Sequence, residues 1–275
     1  MIRSTLGALA GIALALPCVA AAQKQYALES AQGLRLLNVV VEPATLKGKK
    51  GVRVTEDANA ARAGDDLPRI ASIDGTAFSS GVIEVEVAGA PGAGAAGGAR
   101  GFVGIAFRMQ PDDKTYDAFY LRPTNGRAED QERRNHATQY ISHPDWPWAR
   151  LRRETPSKYE AYVDLEPDTW TKIRIEVRGD RARLFVHDQP QPTLLINDVK
   201  SGADKTGAVG LWIGPGTVAH FRNLTVTAEG AKRSTPSTAP SSGFRTLSAT
   251  GRSWRTSWAR YTVAMPPLPI SRSIR

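Results

Sequence analysis

WTKIRIEVRGDRARLFVHD, residues 170–188, alternates apolar Ile173, Ile175 and Val177 with charged Arg174, Glu176 and Arg178. After Gly179-Asp180, Leu184 and Val186 return in register. Strict period two broken by a glycine-containing turn predicts a β-hairpin with one face buried. Working outward, GVIEVEV (81–87) sets Ile83, Val85 and Val87 against Glu84 and Glu86. GFVGIAFRM (101–109) alternates Val103, Ile105 and Phe107 with small residues and Arg108. DAFYLR (117–122), GAVGLWIG (207–214) and TVAHFRNLTVTAEG (217–230) add three more strands. No stretch carries the apolar stripe and caps of a long helix. The expectation is an all-β chain, one two-sheet antiparallel jelly-roll sandwich over residues 23–230, with Ile105, Phe107, Ile173, Ile175, Leu184, Val186 and Leu211 in its core.

Both ends of the sequence differ from this body. Residues 1–22 carry one early charge (Arg3), an apolar run from Leu6 to Leu16 and Ala20-Ala21-Ala22 before Gln23, the layout of a cleaved secretory leader. The run is shorter than the roughly 20 residues that span a bilayer, so no transmembrane segment is expected. Proline rather than a small residue precedes Cys18, which disfavours a lipid anchor, and a mature chain starting at Gln23 has no cysteine. Secretion or a periplasmic location is therefore predicted, without disulfides. Residues 231–275 are rich in Ser, Pro and Arg and carry eight basic residues and no acid, predicting a disordered tail. Removing these eight and Arg3 from the 36 basic residues leaves 27 against all 27 acids, so the body is formally neutral. The excess of +9 belongs to the tail, and a nucleic-acid-binding body loses its electrostatic support.

Two connections stand apart. AGAPGAGAAGGARG (88–101) is low in complexity and predicts a surface connector. Residues 123–158 make an unusually long loop for a compact domain, and their aromatic content predicts an ordered one. At its centre, NHATQYISHPDWPWARLRRE (135–154) concentrates Tyr140, Trp146, Trp148, two histidines and three arginines. Sugars stack their C–H faces on aromatic rings and present hydroxyls to polar groups. Tyr140, Trp146 and Trp148 are thus candidate platforms, with Arg134, His136, Gln139, His143 and Asp145 as polar contacts. Arg108, Tyr120 and Arg122 share strand parity and are expected to form one polar sheet face beneath the loop. One tryptophan is expected to be buried as an anchor, with His136 and His143 lining a pocket over Arg108 and Arg122.

Gly104-Ile105-Ala106-Phe107-Arg108, the strand led by Trp170, Gly207 to Trp212 and Phe221-Arg222-Asn223-Leu224 together resemble the concanavalin A-like jelly roll. Within it, residues 80–228 resemble the secreted laminin-G-type and 3-keto-disaccharide hydrolase-like domains. The resemblance implies a saccharide or glycoconjugate partner, met on the concave sheet or its rim loops. Laminarinase-like members carry a Glu-x-Asp-x-x-Glu strand, whereas Glu84-Val85-Glu86 lacks the Asp and the third carboxylate. That departure weakens the case for hydrolysis by paired carboxylates.

Two classes follow: a carbohydrate-binding envelope module, and a 3-keto-glycoside enzyme with His136 or His143 as base. His136, His143 and Asp145 match no metal-ligand spacing, so no cofactor is expected. Asp112 and Asp113 offer oxygen ligands for calcium but read equally well as turn residues. No nucleophile elbow, phosphate loop or metalloprotease helix is present.

Overall fold

The structure, a computed structural model, describes residues 22–63 and 67–229. The expected tail, and all of the expected leader except Ala22, lie outside these residues. Fifteen strands follow in chain order: β1 (Ala22–Tyr26), β2 (Leu34–Leu37), β3 (Val39–Leu46), β4 (Lys49–Glu56), β5 (Ile70–Ile73), β6 (Gly81–Pro91), β7 (Val103–Met109), β8 (Tyr116–Leu121), β9 (Thr138–His143), β10 (Glu160–Ala161), β11 (Thr171–Arg178), β12 (Arg181–Val186), β13 (Leu194–Ile196), β14 (Ala208–Ile213) and β15 (Thr217–Ala228). A short helix, α1 (Ala60–Ala63), lies between β4 and β5, and the strands form two antiparallel sheets. One runs β13-β12-β11-β6-β15-β4-β3, with β1 also on β15; the other runs β10-β9-β8-β7-β14-β5-β2. The chain is the two-sheet antiparallel jelly-roll sandwich that its alternation predicts.

The hairpin at 170–188 forms as expected, with Ile173 opposite Val186 and Ile175 opposite Leu184. Every residue expected in the core is buried. Between the sheets, Phe107 stacks on Phe119 at 6.1 Å and meets Phe78 edge-on at 6.3 Å. Each such side chain taken from water contributes about 1.5–3 kcal/mol. The same alternation turns Glu84 and Glu86 to the outside of the first sheet. There Glu86 meets Lys49 and Arg222, both at 3.3 Å, and Glu84 lies 3.8 Å from Lys172. These carboxylates form a cross-strand ion-pair ladder.

Two loop expectations need correction. β6 continues through Ala88, Gly89 and Ala90, all buried, so the low-complexity connector begins only at Gly92. Residues 123–158 are not one loop. They hold a short 3-10 turn (Pro123–Asn125), helix α2 (Gln131–Asn135), strand β9 and helix α3 (Trp148–Glu154). Asp130 starts α2 by accepting from the Arg133 amide at 2.9 Å, with Glu132 in the first turn and Arg133 and Arg134 in the last, as the helix dipole favours. In α3, Leu151 faces the core and Arg150 pairs with Glu154 at 3.0 Å one turn on. β9 escapes recognition because both of its faces are covered, so polar and apolar residues do not alternate along it.

Candidate functional site

Edge strand β10 is two residues long, yet it builds the site. Glu160 pairs with Gln139 of β9, and Gln139 pairs with Tyr120 of β8, so the three lie in one row across the outer face of the second sheet. Farther along that row, Tyr120 stacks on Trp212 at 4.6 Å, the two rings leaning together over Gly104 between them. A side chain at Gly104 would run into the backbone of Phe119 and Tyr120, so glycine is required there. Arg122, one residue past β8, reaches back along the row. It donates to Glu160 at 3.1 Å, to the Tyr120 hydroxyl and Gln139 Oε1 at 3.0 Å each, and to the His136 carbonyl at 3.0 Å.

Glu160 is the hub. Arg152 of α3 donates to it from Nε at 3.0 Å and also from Nη2, and His136 Nδ1 lies 2.9 Å from Oε2. That last contact is an ion-pair distance off the line of a hydrogen bond, which leaves Nδ1 without another partner. Burial acts to raise the Glu160 pKa, but the Arg152 hydrogen bond and the charges of Arg122, Arg152 and His136 outweigh it, so the carboxyl sits below its ordinary value. For His136 the balance reverses: burial lowers its pKa, Arg152 and Arg122 add to that, and the pull of Glu160 does not compensate. The geometry thus sets a neutral imidazole against an ionised carboxylate that is fixed by two guanidiniums. Glu160 is held too firmly ionised to serve as a general acid at neutral pH. His136 has the protonation state of a base.

A cavity of about 220 Å³ opens over this pair, lined by Asn135, His136, Ser157, Glu160, Ala161 and Tyr162. Tyr162 is 44% exposed and forms an aromatic wall. Arg134 donates to its hydroxyl at 3.0 Å and lies 5.1 Å from the ring centre. On the other side, the Arg152 that grips Glu160 also lies 4.9 Å from the ring of Trp148, itself 47% exposed.

The candidates read from sequence therefore separate. His136, Arg122, Gln139, Tyr120 and Arg134 converge here, the middle three as buried supports beneath the pocket. Arg108 does not. Its backbone turns left-handed (φ 53°) and carries the side chain away to the carbonyls of Ser79, Gly179 and Gly202 and to Ser201 Oγ. Tyr140 is no platform: it points between the sheets and donates to buried Asp117 at 2.6 Å. His143 stacks on Tyr116 at 5.1 Å and lines a separate cavity of about 40 Å³ with Trp212 and Pro215, so the two histidines do not share a pocket. Burial lowers its pKa with no carboxylate to oppose it.

Asp145 is exposed, and its carbonyl accepts from Arg150 at 2.8 Å. Trp146 is half-buried, held against the core with Arg150 at 3.8 Å and Lys200 at 4.5 Å from its ring centre. Neither tryptophan is fully buried, contrary to expectation. Asp112 spends its oxygens on the Lys114 and Thr115 amides and the Thr115 hydroxyl, and Asp113 is engaged by both Arg35 amino groups at 2.6 and 2.7 Å. The calcium alternative loses its ligands. Glu160 and Tyr162 were missed in sequence, where YEAY offers only a brief alternation.

No protein-family model and no curated protein sequence matches the chain. Solved structures similar to it include the carbohydrate binding module CBM66 from Bacillus subtilis, at 14% identity and a TM-score of 0.46 over 71% of this chain and 96% of that one. A Bacillus subtilis protein of unknown function with a galectin-like fold has 12% identity and a TM-score of 0.47, covering 74% and 94%. A Bacillus licheniformis beta-glucanase has 12% identity and a TM-score of 0.40, covering 75% and 98%.

Proposed function

We propose that the chain is a saccharide-contacting sandwich domain and that the contact is made in the His136–Glu160 pocket. The supporting observation is an exposed aromatic ring, Tyr162, standing beside a polar floor whose groups are fixed before any ligand arrives. A sugar ring stacked on Tyr162 would lay its hydroxyls toward Glu160, His136, Asn135 and Ser157. Pre-fixed polar groups lower the ordering cost of binding. The secretory leader read at residues 1–22 would deliver the domain to where such glycans occur. The test is a glycan array followed by titration of the tightest binders with wild type and Tyr162→Ala. A loss of about tenfold, equivalent to roughly 1.4 kcal/mol, is expected with an unchanged melting temperature. Equal affinity for every glycan bound by wild type would remove this pocket from the function.

A second reading is favoured by the neutral imidazole beside an ionised carboxylate. In a 3-keto-glycoside the proton next to the ketone is acidic, and His136 Nε2 is the base candidate, with Glu160 orienting the ring. His143 drops out for want of such a carboxylate. Turnover of a 3-keto disaccharide that disappears in His136→Gln would support this activity, and absence of turnover by wild type would leave a binding module.

A further inference from the structure

The charges around the pocket do not balance. Arg122 and Arg152 grip Glu160 at its floor, Arg134 stands on Tyr162 at its wall, and Arg133 and Arg100 follow behind Arg122, while the carboxylates within 4.0 Å of the pocket histidine are Glu160 and Glu132. Among the described residues Arg134 has Tyr162 as its hydrogen-bond partner, Arg133 has Asn125 and Thr124, and Arg100 has the carbonyls of Gly97 and Ala99. None of these three has a carboxylate partner within 4.0 Å. Nearby acids are already taken: Asp164 and Glu166 by Arg127, and Asp198 by Lys158 and Lys200. The cations also press on one another, since burial and then the charges of Arg133 and Arg122 lower the pKa of Arg100. At the pocket itself Arg122, Arg134 and Arg152 face Glu160 and Glu132, one cation in excess, and the longer-range charge of Asp164 that Arg134 feels is shared with Arg127.

We propose that the pocket takes an acidic saccharide, one bearing a carboxylate or sulfate, rather than a neutral one. The proposal rests on the pocket being the saccharide site, and it adds the charge of the ligand. Planar guanidiniums bind carboxylate and sulfate oxygens through paired N–H donors, and Arg134 is free to do so without leaving Tyr162. A neutral sugar would leave the cationic excess without a counter-charge.

The experiment compares three probes of matched length on the full chain: oligogalacturonate, sulfated galacto-oligosaccharide and neutral galacto-oligosaccharide. Wild type should bind at least one acidic probe about tenfold or more tightly than the neutral one. The preference should shrink between about 0.1 M and about 1 M salt, as the screening length falls from about 10 Å to about 3 Å. Arg134→Gln should cut the acidic-to-neutral ratio by about tenfold, the equivalent of one charge-assisted pair. Arg100→Gln, which does not touch Tyr162, should cut it about threefold by loss of longer-range attraction. Arg183→Gln, on the outer face of the opposite sheet, should leave the ratio alone. Whichever acidic probe binds better identifies the anion. Equal binding of neutral and acidic probes, or a ratio unmoved by both Arg134→Gln and Arg100→Gln, would overturn the proposal while leaving the saccharide site standing. Failure of all three probes, with Tyr162→Ala also silent on the glycan array, would remove the site itself and the proposal with it.

Discussion

Arg108 and Arg122 have the same parity on neighbouring strands and both are nearly sealed from water, at 0% and 5% exposure. Their surroundings differ in kind. Arg108 is solvated by neutral acceptors from three separate connections: Ser79, the hairpin glycine Gly179, and Ser201-Gly202. Burial lowers its pKa despite the nearby charge of Asp117. Arg122 instead meets a carboxylate that is itself the floor of a pocket. A buried cation satisfied by backbone carbonyls ties loops together, whereas one bonded to a pocket carboxylate fixes the charge that a ligand meets. The same residue type therefore ties loops together at one end of a sheet and holds a pocket carboxylate at the other.

The sharpest way to break this comparison is Arg108→Met. It strands several buried acceptors at once and should cost about 3–5 kcal/mol, read as a shift in the urea midpoint. Saccharide affinity per folded molecule should not change. If affinity falls while stability holds, Arg108 belongs with the site after all. Glu160→Gln should act the other way round, costing about 2 kcal/mol because Arg152 can turn to water and Arg122 keeps its neutral partners. It should also lower the His136 titration further, followed by NMR of the imidazole protons, since Glu160 is the group that raises it. An unmoved His136 titration would mean the pair is not coupled.

Acid should produce the smallest and most graded effect. Burial lowers the pKa of His136, His143 and His220, so the unfolded chain binds more protons than the folded one below the ordinary histidine value of about 6.5. Stability should decline as pH falls through that value. Glu160 and Asp198 are also depressed. Burial opposes the shift of Asp198, but its bonds to Lys158, Tyr159 and Lys200 carry it to about 2. Their contribution is present above the ordinary carboxylate range of about 4 and is lost as pH drops through the lower folded values. Urea midpoints measured from pH 7 downward should follow this two-stage decline. Glu160→Gln should flatten its lower stage and Arg108→Met should leave its shape intact. A flat profile between pH 7 and pH 5 would contradict the burial of neutral imidazoles.

The amino-acid sequence by itself determined the sandwich and much of its core. Period-two alternation at residues 81–87, 170–188 and 217–230 reports which side chains share a face, a local property that needs no knowledge of the partner strand. It also supplied His136, Arg122, Gln139, Tyr120 and Arg134 as candidates, which the fold gathers around one pocket. What alternation does not carry is strand order, register or a local reversal of the backbone. β9 is covered on both faces and so does not alternate, and β10 is too short to show any period. Only the pairing of Glu160 with Gln139 brings the carboxylate under His136, across more than twenty residues of intervening chain. Only the left-handed backbone at Arg108 takes that side chain away from the face its parity assigned. Tertiary structure decided the site because a pocket is made by residues distant in sequence, and the free energy that sets their register comes from burying the whole sheet.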